Sequence, residues 1–312
     1  MRLMRFLLVA LSCLLATPAF AATSSDIHYG PHKLQALDVY TSSSCHTNCP
    51  VVIWVHGGGW SNGDKTVMGG EDGTKIGALW SERGAVVVSI NYRLTPEVQH
   101  PAHVQDVAAA INWVHKNISQ YGGDAARIYL LGHSAGAHLI ALVATDPRYL
   151  AVYGLTPARN LAGVFPIDSA AYNLADDLNT PLVGNRIREA FGTSRAALAA
   201  ASPLTYVRVG QSYPPFIFAG TEQHQNGLKS MNEIIEKLHS AGSGAEGIKT
   251  NYPGTRAFIA HRKIAEDLFN PASAMTIKLM NTVGLRTNSV AEQPEENTNQ
   301  RGRLLLLRQL RD

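Results

Sequence analysis

The sequence has little charge, few cysteines and no long apolar segment beyond its first residues. Only 16% of its 312 residues are charged and 45% are hydrophobic. This composition argues against disorder over most of the chain and fits one large globular domain or two small ones. No later stretch approaches the roughly 20 apolar residues of a membrane-spanning helix. The formal net charge of +3 is small, so a basic surface for nucleic acid is not expected.

The N-terminal segment has the pattern of a secretory signal peptide. Arg2 and Arg5 precede an apolar run over residues 6–16, and the small residues Ala19 and Ala21 follow it. The run is too short to span a membrane comfortably. We therefore expect residues 1–21 to be cleaved, the protein to be exported to the periplasm or secreted, and no stable membrane insertion after cleavage. A retained N-terminal anchor is the alternative.

Two of the three cysteines, Cys45 and Cys49, remain after the predicted cleavage. An exported protein meets an oxidising compartment, where this pair is expected to close a small disulfide loop. A metal site with His46 as a third ligand is the alternative, but no matching second half is present elsewhere in the sequence. No metal ion and no organic cofactor is expected.

The motif that organises the chain lies within residues 127–144. A run of β-forming residues from Ile128 to Leu131 leads into Gly-His-Ser-Ala-Gly, centred on Ser134, and an apolar helix without internal proline follows from Ala135 to Ala144. This G-x-S-x-G pattern between a strand and a helix is typical of a sharp turn that presents a nucleophilic serine at the edge of a sheet. Ser134 as a mere helix cap is the alternative.

A second glycine-rich turn follows the apolar run from Val51 to Val55, which is typical of a strand covered on both faces. An acyl-transfer enzyme stabilises an oxyanion with fixed backbone N–H groups, and glycines let the main chain approach closely enough to donate them. We predict Gly58, Gly59 and Ala135 as the donors. His56 is expected to hold the loop rather than carry protons.

Strands and helices alternate along the rest of the chain, which predicts an α/β protein with a mainly parallel sheet and helices on both faces. The predicted domain covers residues 27–285, residues 170–212 form a small cap, and residues 286–312 form a disordered tail. Predicted strands cover residues 27–40 (one or two edge strands), 51–55, 85–91, 128–131, 161–167, 215–219 and 247–252, and predicted helices cover residues 103–117, 135–144, 228–239 and 272–283.

Several motifs together resemble those of an α/β-hydrolase, over roughly residues 27–285. They are HGGGW at 56–60, NYRLTPE at 91–97, Asp106 in its helix, YGGD at 121–124 and GHSAGAHL at 132–139. More narrowly, the chain is similar to the hormone-sensitive-lipase-like esterases and to the arylformamidase-type hydrolases. The resemblance is strong in the N-terminal half and looser after residue 168.

The resemblance implies a catalytic acid and a histidine after the serine, in that order. The acid is expected just past the strand at 215–219, where Glu222 stands. Many relatives carry aspartate at this point or one residue later, where this chain has Gln223. Either carboxylate can orient an imidazole, and a solvated loop glutamate is the alternative.

For the histidine, the spacing to Pro271 in the arylformamidase-like pattern favours His261, in a loop before a short helix. His224 is a competitor near the predicted acid, and His239 is poorly placed within a predicted helix.

The leading hypothesis is an exported serine hydrolase that cleaves short- to medium-chain carboxylic esters through an acyl-enzyme. Its expected triad is Ser134, Glu222 and His261, and its expected partner is a small-molecule ester. Two alternatives remain open. One is an amide hydrolase of the arylformamidase type, and the other is a non-catalytic binding protein that keeps Ser134 but lacks a working acid or base.

Overall fold

The computed structural model describes residues 24–68, 71–72, 74–180 and 183–287. The predicted signal peptide and the predicted tail from residue 288 onward lie outside these residues. No helix in the described ranges has the length and apolar character needed to cross a membrane.

An eight-stranded sheet runs through the centre of the molecule in the order β1-β2-β6-β3-β7-β8-β9-β10. The first two strands form an antiparallel hairpin, and β2 pairs antiparallel with β6. All other neighbours are parallel. The strands are β1 (Ser24–His28), β2 (Ala36–Tyr40), β3 (Cys49–Val55), β4 (Val67–Met68), β5 (Glu71–Asp72), β6 (Val86–Ile90), β7 (Gly123–His133), β8 (Gly163–Ile167), β9 (Phe216–Thr221) and β10 (Ala245–Thr250), of which β4 and β5 form a separate pair.

Helices fill the connections between the parallel strands. They are α1 (Thr74–Glu82), α2 (Ala102–Asn117), α3 (Ala135–Thr145), α4 (Arg148–Ala151), α5 (Pro157–Asn160), α6 (Leu174–Asp177), α7 (Val183–Phe191), α8 (Arg195–Ala200), α9 (Gln225–Ser240), α10 (Ala257–Asp267) and α11 (Ala274–Val283).

The sheet is covered on both faces because its central strands are apolar on both sides. In β3 the side chains alternate between two cores. Ile53 packs in a core that includes buried residues of α2, α3 and α9. Trp54 packs in a second core with buried residues of α1, α10 and α11. Both side chains are fully buried.

The predicted α/β class, with a mainly parallel sheet and helices on both faces, is confirmed. Several elements differ from expectation, and two of them bear on the argument. Helix α1 was not predicted, and α10 places His261 inside a helix, whereas the sequence suggested a loop before one. The segment between β8 and β9 holds the short helices α6 to α8, where a cap was predicted.

The predicted disulfide is also confirmed. Cys45 and Cys49 are bonded to each other, and Cys49 is the first residue of β3. The bond therefore fixes the polar loop to the start of the strand that leads into the glycine turn.

Candidate active site

Ser134 stands on a strained turn between β7 and α3. Its φ of 56° lies in the left-handed region, which a non-glycine residue rarely adopts and which is concentrated at functional sites. The Ser134 N–H donates to the carbonyl oxygen of Ile167 (2.9 Å), and the N–H of His138 donates to the carbonyl oxygen of Ser134 (3.1 Å). The serine is therefore fixed at the N-terminus of α3, where developing negative charge is favoured.

Strand register brings an acidic residue to the same edge of the sheet. The parallel strands β7 and β8 pair His133 with Ile167, so Ser134 and Asp168 are the next residues along two neighbouring strands. Asp168 also has a positive φ, 48°, and its side chain is 1% exposed. In parallel sheets, functional side chains commonly lie at the carboxyl ends of the strands.

The glycine turn after β3 lies directly against the serine turn. A Cβ built on Gly57 would lie 3.2 Å from the Ser134 Cβ, and a Cβ on Gly136 would lie 2.1 Å from the carbonyl oxygen of Val55. Gly58 and Gly59 both have positive φ, 107° and 60°. These residues must be glycine for the main chain to pass so close, and the loop follows the strand next to the one that carries Ser134.

His56 holds this loop, as the sequence indicated. Its ring stacks on Tyr92 with the centroids 4.4 Å apart, and its Nδ1–H donates to the carbonyl oxygen of Gly57 (2.7 Å). Burial lowers the pKa of His56 to about 4, so the ring is neutral near neutral pH. The Tyr92 hydroxyl donates to the carbonyl oxygen of His56 (3.1 Å).

Two other motif residues in the N-terminal half, Asp106 and Asn91, make structural contacts. Asp106 accepts two hydrogen bonds from the Arg93 guanidinium, at 2.8 and 2.7 Å, and one from the Gln35 amide (2.7 Å). Asn91 accepts from the backbone N–H of Lys65 (2.5 Å) and donates to Asp64 (2.7 Å). These contacts hold the segment after β6 against helix α2 and against the loop that contains Asp64 and Lys65.

His261 is paired with Asp168. Its Nδ1 donates to Asp168 Oδ2 at 2.6 Å, a charge-assisted hydrogen bond of short length. Burial by itself would raise the pKa of Asp168, but the imidazoles of His224 and His261 together hold it well below its usual value. The Asp168 carboxylate is therefore ionised, and the His261 Nε2 is left for proton exchange.

The expectation that Glu222 is the acid is not supported by this geometry. Glu222 is exposed, and its carboxylate makes no hydrogen bond or ion pair with any residue that the structure describes. Its backbone N–H donates to the carbonyl oxygen of Thr250 (2.9 Å), which ends the β9–β10 pairing. The carboxylate in contact with His261 comes instead from the end of the neighbouring strand, β8.

Gln223, in the position where many relatives have aspartate, bridges two loops instead. Its Oε1 accepts from the Thr221 hydroxyl (2.6 Å) and from the backbone N–H of Tyr252 (3.1 Å), and its Nε2 donates to Asn251 Oδ1 (2.6 Å).

The sequence did contain a signal for Asp168 as the acid in place of Glu222. Asp168 ends a predicted strand and lies between Ser134 and His261 in the chain, which satisfies the order of serine, acid and histidine.

His224 contacts the same carboxylate. Its Nδ1 is 3.3 Å from Asp168 Oδ2, and its ring centroid is 5.6 Å from that of His261. His224 therefore shares its acid with His261 and does not form a pair with a different acid. His239, near the end of α9, donates from Nε2 to the carbonyl oxygen of Ala245 (2.7 Å) and is remote from this cluster in the chain and in its contacts.

Two neutral histidines support the elements around the serine. Burial lowers the pKa of both His133 and His138 to about 3. The His133 Nε2–H donates to the carbonyl oxygen of His261 (3.0 Å), which fixes α10 next to the serine turn. The His138 Nε2–H donates to Ala201 (2.8 Å), and its Nδ1 accepts from the Trp60 indole (3.2 Å).

Asp168, His224 and His261 have the residue types of a metal site, with their ligand atoms within 4.8 Å of one another. The 2.6 Å spacing between Asp168 and His261 is instead that of a hydrogen bond, which requires a proton between the two atoms. Zinc ligands must be deprotonated and point at a common centre. The arrangement therefore fits a proton-transfer pair better than a metal centre.

The segment between β8 and β9 reaches the glycine turn through Arg186 of α7. Its NH1 donates to the carbonyl oxygen of Gly58 (3.2 Å) and to the Ser61 hydroxyl (2.5 Å). A Cβ on Gly59 would lie 2.4 Å from the Arg186 Cδ. On the same helix, the ring of Phe191 packs edge-on against Trp60 with centroids 4.8 Å apart. The segment predicted as a cap therefore contacts the glycine turn directly.

The mostly parallel sheet, the strained serine after β7 and the acid–histidine pair at the same edge define an α/β-hydrolase. The family model described as BD-FAE matches residues 37–238, and the chain belongs to that family.

Known relatives agree with this assignment. Esterase LipQ of Mycobacterium tuberculosis is 33% identical over 248 residues, which cover 72% of this chain and 54% of LipQ. Carboxylesterase NlhH of the same species is 42% identical over 112 residues, 35% of this chain and 33% of NlhH. The chain thus spans about half the length of LipQ and about a third of the length of NlhH. Among solved structures, esterase B of Lactobacillus rhamnosis superposes with a TM-score of 0.67 at 18% identity, covering 84% of this chain and 86% of that one.

Proposed function

We propose that the protein is a serine esterase that hydrolyses carboxylic esters of short- to medium-chain acids through an acyl-enzyme. The observation that carries the proposal is the common placement of Ser134 and the Asp168–His261 pair at one sheet edge. The printed names of the relatives, esterase and carboxylesterase, support ester hydrolysis as the activity.

In the first half-reaction, the Ser134 oxygen attacks the ester carbonyl carbon and its proton passes to the His261 Nε2. Asp168 holds the opposite ring nitrogen, so the imidazole keeps the correct tautomer and its cationic form is stabilised. Collapse of the tetrahedral intermediate breaks the bond to the alcohol oxygen, and His261 returns the proton to the leaving alcohol. The acyl group remains on Ser134.

In the second half-reaction, His261 takes a proton from water, and the hydroxide equivalent attacks the acyl carbon. The acid leaves, and Ser134 regains its proton. We assign the N–H groups of Gly58, Gly59 and Ala135 to the oxyanion in both steps. Two observations support this role: Gly57, which precedes these glycines, lies against Ser134, and Ala135 follows the serine at the N-terminus of α3.

We also propose that the mature protein acts outside the cytoplasm. The N-terminal pattern of residues 1–21 motivates this proposal, and the Cys45–Cys49 disulfide agrees with an oxidising compartment. Expression of the full chain in a bacterium, followed by fractionation and mass measurement, would test it. A mature N-terminus near Ala22 in the periplasm or medium is expected, and an uncleaved cytoplasmic chain would contradict it.

The activity is tested by hydrolysis of p-nitrophenyl acetate and butyrate with the mature wild type, Ser134→Ala and His261→Ala. Turnover by the wild type is expected, with losses of about 10³-fold or more in both variants, as for other serine–histidine pairs. An inactive wild type, or a Ser134→Ala variant equal to it, would favour the binding-protein hypothesis. Faster turnover of N-formyl anilides than of the esters would favour the amide hydrolase.

A further inference from the structure

The proposed triad leaves one titratable side chain at its centre without a role. His224 lies at the N-terminus of α9 and is the residue that the sequence analysis considered as an alternative base. Its Nδ1 approaches the same oxygen of Asp168, Oδ2, that accepts the hydrogen bond from His261. One carboxylate oxygen therefore serves two imidazoles, whereas a triad requires only one.

The contact between His224 and Asp168 is electrostatic in character. At 3.3 Å the two atoms are at ion-pair distance, but the Nδ1 has no hydrogen-bond partner of acceptable geometry among the described residues. A buried polar nitrogen without such a partner carries a cost unless charge compensates for it. Here the compensation comes from the ionised carboxylate beside it.

The groups around His224 favour its protonated form. Burial lowers the pKa of the imidazole, but the contact with Asp168 and the charge of Asp177 outweigh burial and raise that pKa above its ordinary value. Asp177 ends helix α6 and is 3% exposed. Two buried acidic residues from different segments therefore act on the His224 ring. Asp168, after β8, is in direct contact, and Asp177 of α6 acts through its charge, although burial raises the pKa of Asp177 itself.

The other groups described near His224 do not contribute the negative charge that favours its protonated form. The ring of His261, on α10, meets that of His224 edge-on. On α9, Asn226 donates to Asp177 at 3.4 Å, and Lys229 is paired with Asp176 at 3.1 Å on the exposed surface. A Cβ on Gly227 would lie 2.6 Å from the His224 Nδ1, so the ring is packed onto the first turn of its own helix and has little freedom to move.

We propose that His224 is a positioning residue for the reaction, a second imidazole that holds the Asp168 carboxylate and sets how much of its negative charge acts on His261. The inference rests on the proposed function. In the resting enzyme the His224 cation offsets part of the Asp168 charge. His261 therefore receives a moderated rather than a full negative charge, while the carboxylate is kept in place for the hydrogen bond to its Nδ1.

The sign of the expected effect follows from this charge balance. Replacing the cation with a neutral amide of similar size leaves the full charge of Asp168 acting on the His261 imidazolium. The protonated, inactive form of the base then persists to higher pH. The acidic limb of kcat/KM should shift to higher pH, and the plateau kcat should fall because the carboxylate is less firmly held.

The test compares wild type, His224→Gln, His224→Lys and His239→Gln in hydrolysis of p-nitrophenyl acetate across the acidic limb. For His224→Gln we expect the midpoint of the limb to rise by about half a pH unit or more and the plateau kcat to fall about 10-fold, with KM unchanged. His224→Lys, which restores a cation, should bring the midpoint back toward that of the wild type. His239→Gln, on the same helix outside the cluster, should match the wild type.

A purely structural role for His224 would lower the plateau without moving the midpoint, and superimposable normalised profiles would overturn the inference while leaving the esterase function intact. A wild type without turnover that depends on Ser134 would overturn the proposed function, and this inference with it. Thermal unfolding checks that each variant folds. If His224→Gln does not, the profile of His224→Asn, which also lacks the cation, decides by the same criterion.

Discussion

Asp168 combines a strained backbone with a buried charge. Its φ of 48° is unfavourable for a residue with a side chain, and its N–H donates to the carbonyl oxygen of Ala219 (2.7 Å), which holds the backbone in that form. A residue kept in such a conformation is a candidate for function rather than for stability. The carboxylate of this residue is the one in contact with His261, at 2.6 Å.

The first prediction separates Asp168 from Glu222 as the acid. Asp168→Asn should lower kcat by about 10²- to 10⁴-fold, since an amide cannot stabilise the imidazolium and favours the wrong tautomer. Glu222→Gln should stay within about twofold of wild type, because exposed substitutions without partners have small effects. Steady-state kinetics on p-nitrophenyl acetate measure both. A loss confined to Glu222→Gln would restore the acid position that the sequence suggested.

A second prediction concerns Gly59 in the glycine turn after β3, whose N–H we propose as an oxyanion donor. Gly59→Ala should lower kcat by about 10²-fold, because the new methyl group would collide with Arg186 and move the loop. Gly154→Ala is the matched control. Its φ of 74° is similarly positive, but a Cβ there has no atom within 4 Å.

Both glycine variants should lose about 1 kcal/mol of unfolding free energy from backbone strain, and only Gly59→Ala should lose activity. Urea unfolding and steady-state kinetics on the same preparations measure the two effects separately. Equal kinetic losses in the two variants would show that strain alone, and not the loop, is responsible.

At the scale of elements, the structure joins helix α7, in the segment between β8 and β9, to the glycine turn. Arg186 makes the polar contacts, and the aromatic contact between Phe191 and Trp60 lies beside them. Trp60 in turn donates to His138 of α3. The glycine turn is therefore in contact both with the helix that begins at Ser134 and with the segment between β8 and β9, and these contacts limit its movement.

A third prediction tests this connection with two arginines of α7. Arg186→Met keeps much of the aliphatic contact but removes the hydrogen bonds to Gly58 and Ser61, so kcat should fall about 10-fold while KM changes little. In Arg188→Met only an exposed bond to Asn185 is lost, and kinetics should match wild type. Similar losses in both variants would argue for a general effect of charge on this helix.

At the scale of the whole molecule, buried neutral histidines make stability depend on pH. The pKa is lowered by burial to about 3 in His133 and His138. In an unfolded chain the imidazole has its ordinary pKa of about 6.5. Between these two values the unfolded state binds protons that the folded state does not, so stability falls as the pH falls through this window.

The fourth prediction follows for His138, whose side chain is fully buried. The unfolding free energy of the wild type should decrease from about pH 7 to pH 5, by up to about 1.4 kcal/mol per pH unit for each such histidine. The His138→Gln variant lacks this titrating group. The slope of its unfolding free energy against pH should therefore be smaller than that of the wild type, by the contribution of about one proton. Urea unfolding at several pH values measures the slope. Parallel slopes for the two proteins would contradict the assignment of a neutral His138.

Much of the fold could be predicted because it depends on local patterns. The continuous apolar residues of β3 and β6 predicted buried parallel strands, and the helical spacing in α2 matched its buried face. Ser134 was identifiable because Gly132 and Gly136 stand two residues before and two residues after it, between a strand pattern and a helix pattern. The Cys45–Cys49 pair was predictable because the loop that it closes is short. The oxyanion donors remain a prediction that the placement of the loop supports.

The tertiary structure alone decided which acid meets His261. Glu222 and Asp168 both follow strands, and both lie between Ser134 and His261 in the chain, so order and composition did not separate them. The choice depends on the register of β7 with β8 and on the direction of α10, which places His261 against the end of β8. These are contacts between residues 93 positions apart. Their geometry is set by packing of the whole sheet rather than by any local sequence pattern.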